Sequence, residues 1–486
     1  MIRLRPLPLL AALLLADSAA AVAQGGDPIG LQALRNLDPT LTGSGIIVAQ
    51  PEAIYSGTDG YEVNPATVGQ AAGKIIYTDT NGATGSGFPN NIGQESGHAG
   101  SVGENLYGDL NTSDPEGVAP GVAQIDNYEA DYFYYTLISG SQPIAARIVN
   151  QSFVFGGATL AQQVQANQTY DNYAATFNTL FISGVGNGGA VQSPASSYNG
   201  IAVAAYDSGS NSSTGPTYDG RSKPDITAPA TATSYSTPFV SGAAVLLLQA
   251  ALRGDAGPGT ASDAADSRLL KALLLNGAVK PAGWTHTATA PLDPTYGSGI
   301  LNVYNSYLNL RAGEFASATA TSGSLAAIDT GPTLPGQGWD LASITTAFNG
   351  GSYTSQSAHY LFDLTTSGSQ QFTLTSTLTW WRQAGQAAIN NLDLYLFNAT
   401  TGTQIALSDS PVDNVQQLYV PGLTPGRYDL VVLKNGGTPL SGGGTVVSPS
   451  ETYALAFNFA PIPEPSTFLL LSAALPLLTL LRKPAR

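Results

Sequence analysis

The 486 residues contain no cysteine, which excludes disulfides, thiolate metal sites and a cysteine nucleophile. Histidine is nearly as scarce: only His98, His286 and His359 occur, so any chemistry that needs an imidazole base has three candidates. Basic side chains are few, 18 against 33 acidic ones, and the formal charge is −15. Residues 1–23 (net +1) and 461–486 (net +2) are both basic, which leaves −18 for the chain between them. A body this acidic is a poor partner for nucleic acid. Phe468–Leu481, mostly apolar, would rise only about 21 Å as a helix, short of the ~30 Å bilayer core, and Pro476 interrupts it. By itself it predicts transient membrane association rather than a permanent anchor. What is present is chain enough for about three domains and a core of ordinary size.

The most informative stretch runs from Thr231 to Ala250, TATSYSTPFVSGAAVLLLQA. Val240 through Leu248 are almost all apolar, and Pro238 is expected in the first helical turn, where a missing N–H costs nothing. The pattern predicts a buried helix with Ser234 at its N-terminus, where free N–H groups and the helix dipole favour negative charge developing on a substrate. That suits a nucleophile; the plainer alternative is a serine that only caps a core helix. Thr233, Ser234, Pro238, Val240 and Gly242 are in register with Gly-Thr-Ser-x-Ala-x-Pro-x-Val-x-Gly, the reactive-serine pattern of the subtilisin-like (S8) serine peptidases, which this stretch resembles. Ala232 and Ser236 depart from it.

The resemblance extends along the chain in the order acid, His, Asn, Ser. Ile46–Ala49 reads as a buried parallel strand. Gln50-Pro51-Glu52-Ala53 follows where the family has Asp-Thr-Gly or Asp-Ser-Gly, and Glu52 falls on the Asp position. The resemblance therefore implies a Ser-His-Glu triad in which Glu52 orients the base; the alternatives are a solvated carboxylate at Glu52 and service by Glu95. His98-Ala99-Gly100-Ser101-Val102-Gly103 resembles the family's histidine helix, with His98 and Val102 matching strictly. Gly117-Val118-Ala119-Pro120 and Arg147–Val149 leading to Asn150-Gln151-Ser152-Phe153 resemble a family turn and the strand that pairs with substrate backbone. They imply substrate-binding roles for Asn150, Ser152 and Phe153. Phe153 and Val154 replace the usual Leu and Gly, so the specificity pocket is expected to be narrowed or reshaped. Asn187, in Gly184-Val185-Gly186-Asn187-Gly188, inherits the oxyanion donor's place, although Asn-Gly alone is a hairpin signal. Gly220 through Pro229 resembles the family's approach to the serine.

The likeness spans about residues 43–310. It implies an α/β subtilisin-like domain with a mostly parallel sheet flanked by helices, with loops and catalytic residues at the strands' carboxyl ends. The sedolisin arrangement, with Glu and Asp in place of His and Asn, is disfavoured by His98 and Asn187.

Residues 312–337, rich in Ala, Ser, Thr and Gly, read as a linker between a peptidase domain (24–311) and a second domain. Beyond it the hydrophobic period becomes two, at Phe372 and Leu374, then Leu392, Leu394 and Leu396, then Tyr428, Leu430 and Val432. This predicts an antiparallel β-sandwich over 338–460. Asn391-Leu392-Asp393-Leu394-Tyr395-Leu396-Phe397 resembles prepeptidase C-terminal domains. Asp393, Asp409 and Asp413 are candidates for structural calcium, with exposed carboxylates as the alternative; no cofactor is required for the expected chemistry.

Arg3, Arg5, the apolar run Leu7–Ala16 and Ala21-Val22-Ala23 form a signal peptide (1–23). Residues 24–43 are too few for a long inhibitory propeptide. The tail 461–486 opens with Pro461-Ile462-Pro463-Glu464-Pro465, continues with the apolar run and ends with Arg482 and Lys483. It resembles the PEP-CTERM sorting signal of Gram-negative bacteria and implies processing by an exosortase-type enzyme. The expectation is a secreted, envelope-sorted serine endopeptidase acting on proteins or peptides. The alternative is a catalytically inactive surface or matrix binding protein on the same fold.

Overall fold

The computed structural model describes residues 27–463, except 55–59, 111–116, 207–210, 323–324, 366–367 and 441–445. The expected signal peptide and nearly all of the expected sorting tail lie outside the described residues. Eight strands of the first region form one sheet: β1 (Ile47–Glu52), β2 (Ile75–Thr78), β3 (Thr84–Ser86), β4 (Gln124–Glu129), β5 (Ile148–Gln151), β6 (Leu180–Gly184), β7 (Ile201–Tyr206) and β8 (Ile226–Pro229). They are ordered β3-β2-β4-β1-β5-β6-β7-β8, and only β3 runs antiparallel to its neighbour. Central strands such as β6 and β7 are nearly continuous apolar runs because both faces are covered. Ile182 faces the core that holds Val240 and Val245, while its neighbour Phe181 packs with Tyr170 and Tyr173 on the opposite face.

Those faces are covered by helices α1 (Leu31–Leu37), α2 (Gly97–Tyr107), α3 (Leu160–Phe177), α4 (Thr233–Arg253), α5 (Ala261–Ala264), α6 (Ser267–Gly277) and α7 (Val303–Ala312). Helix α4 is buried along nearly its whole length. It lies close to the Gly117–Pro120 turn because Gly242 has no side chain: a Cβ there would stand 2.4 Å from Val118 Cβ.

An antiparallel β-rich region follows. Strands β9 (Thr319–Ser322), β10 (Thr333–Leu334), β14 (Gln356–Asp363), β16 (Leu392–Asn398), β17 (Gln404–Ser408) and β19 (Arg427–Lys434) form one sheet. A second comprises β11 (Gln337–Thr345), β15 (Phe372–Trp380), β18 (Val415–Leu423) and β20 (Ser450–Pro461), and β12 (Ala347–Asn349) with β13 (Ser352–Thr354) is a hairpin. Only β10 pairs parallel, with β14. Leu392, Leu394 and Leu396 enter the shared core with Leu430, Val432 and Leu455, while Tyr395 and Phe397 lie with a different apolar group.

The stretch 312–337 is not a free linker. It supplies β9 and β10, and Leu325 and Ala327 pack against Tyr395 and Phe397. Edge pairing uses backbone groups, so it leaves no apolar period in the sequence to reveal it. The two regions are fused: Trp339, Trp381 and Val415 belong to the same buried cluster as Leu273 of α6. Trp339 Nε1 donates to Leu310 O (2.9 Å), Asn199 and Arg382 exchange hydrogen bonds, and Asp413 accepts from the Ser222 N–H at 2.7 Å.

Candidate active site

Strand ends and one helix terminus build a cleft of about 550 Å³ lined by Glu52, His98, Ser152, Phe153, Asn187 and Ser234 among others. Glu52 closes β1 and is 2% exposed. His98 lies in the first turn of α2, whose N-cap Ser96 accepts from the Ala99 N–H at 3.1 Å. The two meet across 46 residues of sequence, His98 Nδ1 to Glu52 Oε1 at 2.6 Å. Burial alone would lower the His98 pKa, but the hydrogen bond and charge of Glu52 outweigh it and the pKa is raised. Glu95, the competing acid, is exposed and accepts from Asn64 Nδ2 at 3.0 Å instead.

Gln50, where the family motif is broken, ties β1 to the histidine helix. Its Nε2 donates to Ala99 O (3.0 Å) and its Oε1 accepts from Tyr107 OH (2.6 Å). Neither Gln50 nor Tyr107 was singled out from sequence. The only signal was a polar residue at the end of an apolar strand.

Helix α4 begins at Thr233 with Ala232 as its N-cap, which has no side chain able to cap it. Asn187 does so instead: its Oδ1 accepts from Thr233 N–H at 2.9 Å and from Thr233 Oγ1 at 3.2 Å. That contact fixes the amide and leaves Nδ2, which has no partner among the described residues, as the donor. The Ser234 N–H, in the first turn, has no intrahelical acceptor by position. Pro238 sits in the second turn of α4, not the first, so the Ser234 carbonyl loses its i+4 donor. Ser152 replaces that donor: its Oγ donates to Ser234 O at 2.8 Å, and its carbonyl accepts from Ser234 Oγ at 3.2 Å. Ser234 Oγ is thus turned toward Ser152, and no hydrogen bond joins it to His98.

Of the residues expected to bind substrate, Ser152 and Phe153 line the cleft. Asn150 does not reach it. It is 1% exposed and spent on the interior, donating to Ser152 Oγ (3.0 Å) and accepting from Ser241 Oγ (2.8 Å). A strand of period two sends alternate side chains to opposite faces, and α4 covers the one Asn150 occupies. His286 lies beside Trp284, with ring centroids 4.7 Å apart and the rings tilted by 30°. His359 belongs to a second serine-histidine-acid set in the β region: Ser357 Oγ is 3.0 Å from Nε2 and Asp429 Oδ2 is 2.8 Å from Nδ1, all three residues being 0% exposed. Among the described residues, no group of three or more His, Asp or Glu is placed to hold a metal ion.

A serine at a helix N-terminus, a histidine backed by a carboxylate and an oriented amide donor line one cleft at the carboxyl ends of a parallel sheet, the parts that a serine hydrolase centre requires. Residues 70–299 match the Peptidase_S8 model of the subtilase family, so the chain carries a subtilase-family domain there. The match includes His98, Asn187 and Ser234 and begins after Glu52. Among solved structures, the chain is similar to the patellamide maturation protease PatA (23% identity, TM-score 0.39, covering 56% of this chain and 98% of that one). It is also similar to the prenylagaramide maturation protease PagA (22%, 0.40, 58% and 99%). A third, fervidolysin from Fervidobacterium pennivorans, is described as a keratinolytic enzyme related to subtilisin (14%, 0.42, 89% and 77%). No curated protein matches the chain.

Proposed function

We propose that the protein is an exported serine endopeptidase. Ser234 Oγ bonds to the peptide carbonyl carbon while His98 Nε2 takes its proton. His98 returns that proton to the leaving nitrogen as the C–N bond breaks, and then activates the water that cleaves the acyl-serine ester. Glu52 holds the His98 tautomer and balances the imidazolium, and the Ser234 N–H with Asn187 Nδ2 receives the oxyanion. The observation that carries this reading is the 2.6 Å His98–Glu52 contact in the cleft that also holds Ser234 and Asn187. Ser152 and Phe153 bound the polypeptide site, and the chemistry needs no cofactor.

One observation favours the second reading, a non-catalytic surface or matrix binding protein: Ser234 Oγ donates to the Ser152 carbonyl and not to His98. Catalytic contacts often tighten only when substrate arrives. A fluorophosphonate probe decides between the two readings. The folded wild-type protein should be labelled and should cut an unstructured protein internally, and Ser234→Ala should do neither. Folded wild-type protein that stays unlabelled at neutral pH supports the binding reading. Residues 1–23 are proposed to direct export and 461–486 to direct envelope sorting with removal of Phe468–Leu481 by an exosortase-type enzyme. Intact mass of mature protein from a native host tests this, and recovery of the complete tail overturns it.

A further inference from the structure

We infer that the outer face of the six-stranded β9-β10-β14-β16-β17-β19 sheet holds a divalent-cation site of the calcium type, made by Asn391, Asp393 and Asp409. The register places them together. Leu394 pairs with Ser408, the last residue of β17, and continuing that register by one position brings Asp393 opposite Asp409 on one face, with Asn391 on the same face at period two. The outward direction is that of Tyr395 and Phe397, away from the inter-sheet core.

Three buried oxygens there have no hydrogen-bond partner: Asn391 Oδ1, Asp393 Oδ1 and Asp409 Oδ1. Asp393 is 5% exposed. Its other oxygen is satisfied, accepting from Asn435 Nδ2 at 2.8 Å and Tyr395 OH at 3.4 Å, so Oδ1 is the oxygen left for a further ligand. Neither acid forms an ion pair with a basic side chain among the described residues. Lys434, which neighbours Asn435, points to the opposite face and reaches Thr346. A buried carboxylate left with an open lone pair and a second carboxylate opposite is costly unless a cation neutralises the pair.

The donors are all hard oxygens, two carboxylates and an amide, which select calcium or magnesium over zinc or copper. Calcium takes 6–8 oxygens with flexible geometry, whereas magnesium demands a near-ideal octahedron. Three oxygens, one on β16 and two at positions just beyond strand ends, completed by water, suit calcium. Two charges place the affinity at about 10⁻⁴–10⁻³ M, the range of extracellular modules. Asp413, the third acid on this segment, is not part of the site, because it is spent on Ser222 and Ser410 at the join between the regions.

The test uses the full mature chain, freed of metal with EGTA and titrated with Ca²⁺ and separately with Tb³⁺, whose emission a nearby tyrosine sensitises. The wild type should bind one more equivalent of Ca²⁺ than Asp393→Asn or Asp409→Asn. Tyr395→Phe should keep that equivalent but lose at least half of the Ca²⁺-displaceable Tb³⁺ emission. Without metal, Asp393→Asn should melt higher than wild type, and with 5 mM Ca²⁺, roughly ten times the expected dissociation constant, the order should reverse. Asp409→Asn, at a less buried position, covers the case in which Asp393→Asn fails to fold. Equal Ca²⁺ stoichiometry in wild type and both variants overturns the inference. Fluorophosphonate labelling of Ser234 is read in parallel and is expected to be unchanged in every variant, so failure here is distinct from failure of the peptidase reading.

Discussion

The molecule contains two sets of serine, histidine and carboxylate, and the more completely hydrogen-bonded set is not the proposed catalyst. In the β region, Ser357, His359 and Asp429 are linked end to end at 3.0 and 2.8 Å, yet all are 0% exposed. In the α/β domain the histidine meets its acid at 2.6 Å, the serine is turned aside, and the set opens into a cleft. Under the proposed function, access to a cleft and not hydrogen bonding within the set marks the catalyst. The first set lacks access, and its serine lies on a strand, not at a helix N-terminus. It reads as a buried polar network centred on one carboxylate oxygen: Asp429 Oδ2, which meets His359, also accepts from the Ile328 N–H at 2.9 Å and so pins the returning chain, while Oδ1 has no partner among the described residues.

The largest expected effect breaks the comparison outright. Ser234→Ala should abolish probe labelling and lower kcat by about 10⁶-fold, a magnitude the subtilisins themselves supplied, whereas Ser357→Ala should leave both intact. Labelling that survives in Ser234→Ala would place the nucleophile elsewhere.

The acids come next. Glu52→Ala and Glu52→Gln are each expected to cut kcat by about 10³–10⁴-fold, with Glu52→Asp impaired less and Glu95→Ala near normal. Near-normal turnover of Glu52→Ala together with loss in Glu95→Ala would reverse the assignment. Asn187→Ala should cost about 10²–10³-fold in kcat, again a value drawn from this family. Because Asn187 also caps α4, a melting curve must accompany the rates.

A smaller effect sharpens the contrast through pH. His98 must be neutral to act as base, and its pKa is raised above the ordinary ~6.5 because Glu52 outweighs burial. The acid limb of kcat/KM should therefore lie above ~6.5, and in the residual activity of Glu52→Gln, where burial acts alone, it should fall below ~6.5. The same pairing adds stability that is fully present below the unfolded pKa and is lost as pH rises through the folded one. An acid limb unmoved by Glu52→Gln would mean that another base is being read.

The smallest effect on turnover is expected in the buried set. Asp429→Ala strands the His359 Nδ1 and Ile328 N–H groups and should cost about 2–5 kcal/mol of stability, with kcat per folded molecule unchanged. Loss of turnover without loss of stability would tie the β region to the chemistry.

What the residues alone determined was local. An apolar run marked β1, the period of two marked the β region, and the apolar block Val240–Leu248 marked the buried helix with Ser234 near its start, whereas the polar β4 left no such mark. These patterns depend on neighbours a few positions away, so they are legible in one dimension. Polar atoms are different, because each is decided by a partner that folding brings from afar. Whether Glu52 meets His98 or solvent, whether Asn150 faces the cleft or α4, and which serine replaces the donor lost at Pro238 all depend on contacts 46 to 91 positions apart. The same holds for the stretch 312–337, which has the composition of a linker and is held in the sheet by backbone pairing. Burial makes an unpaired polar atom expensive, and the tertiary structure alone sets which atoms are buried and what they meet.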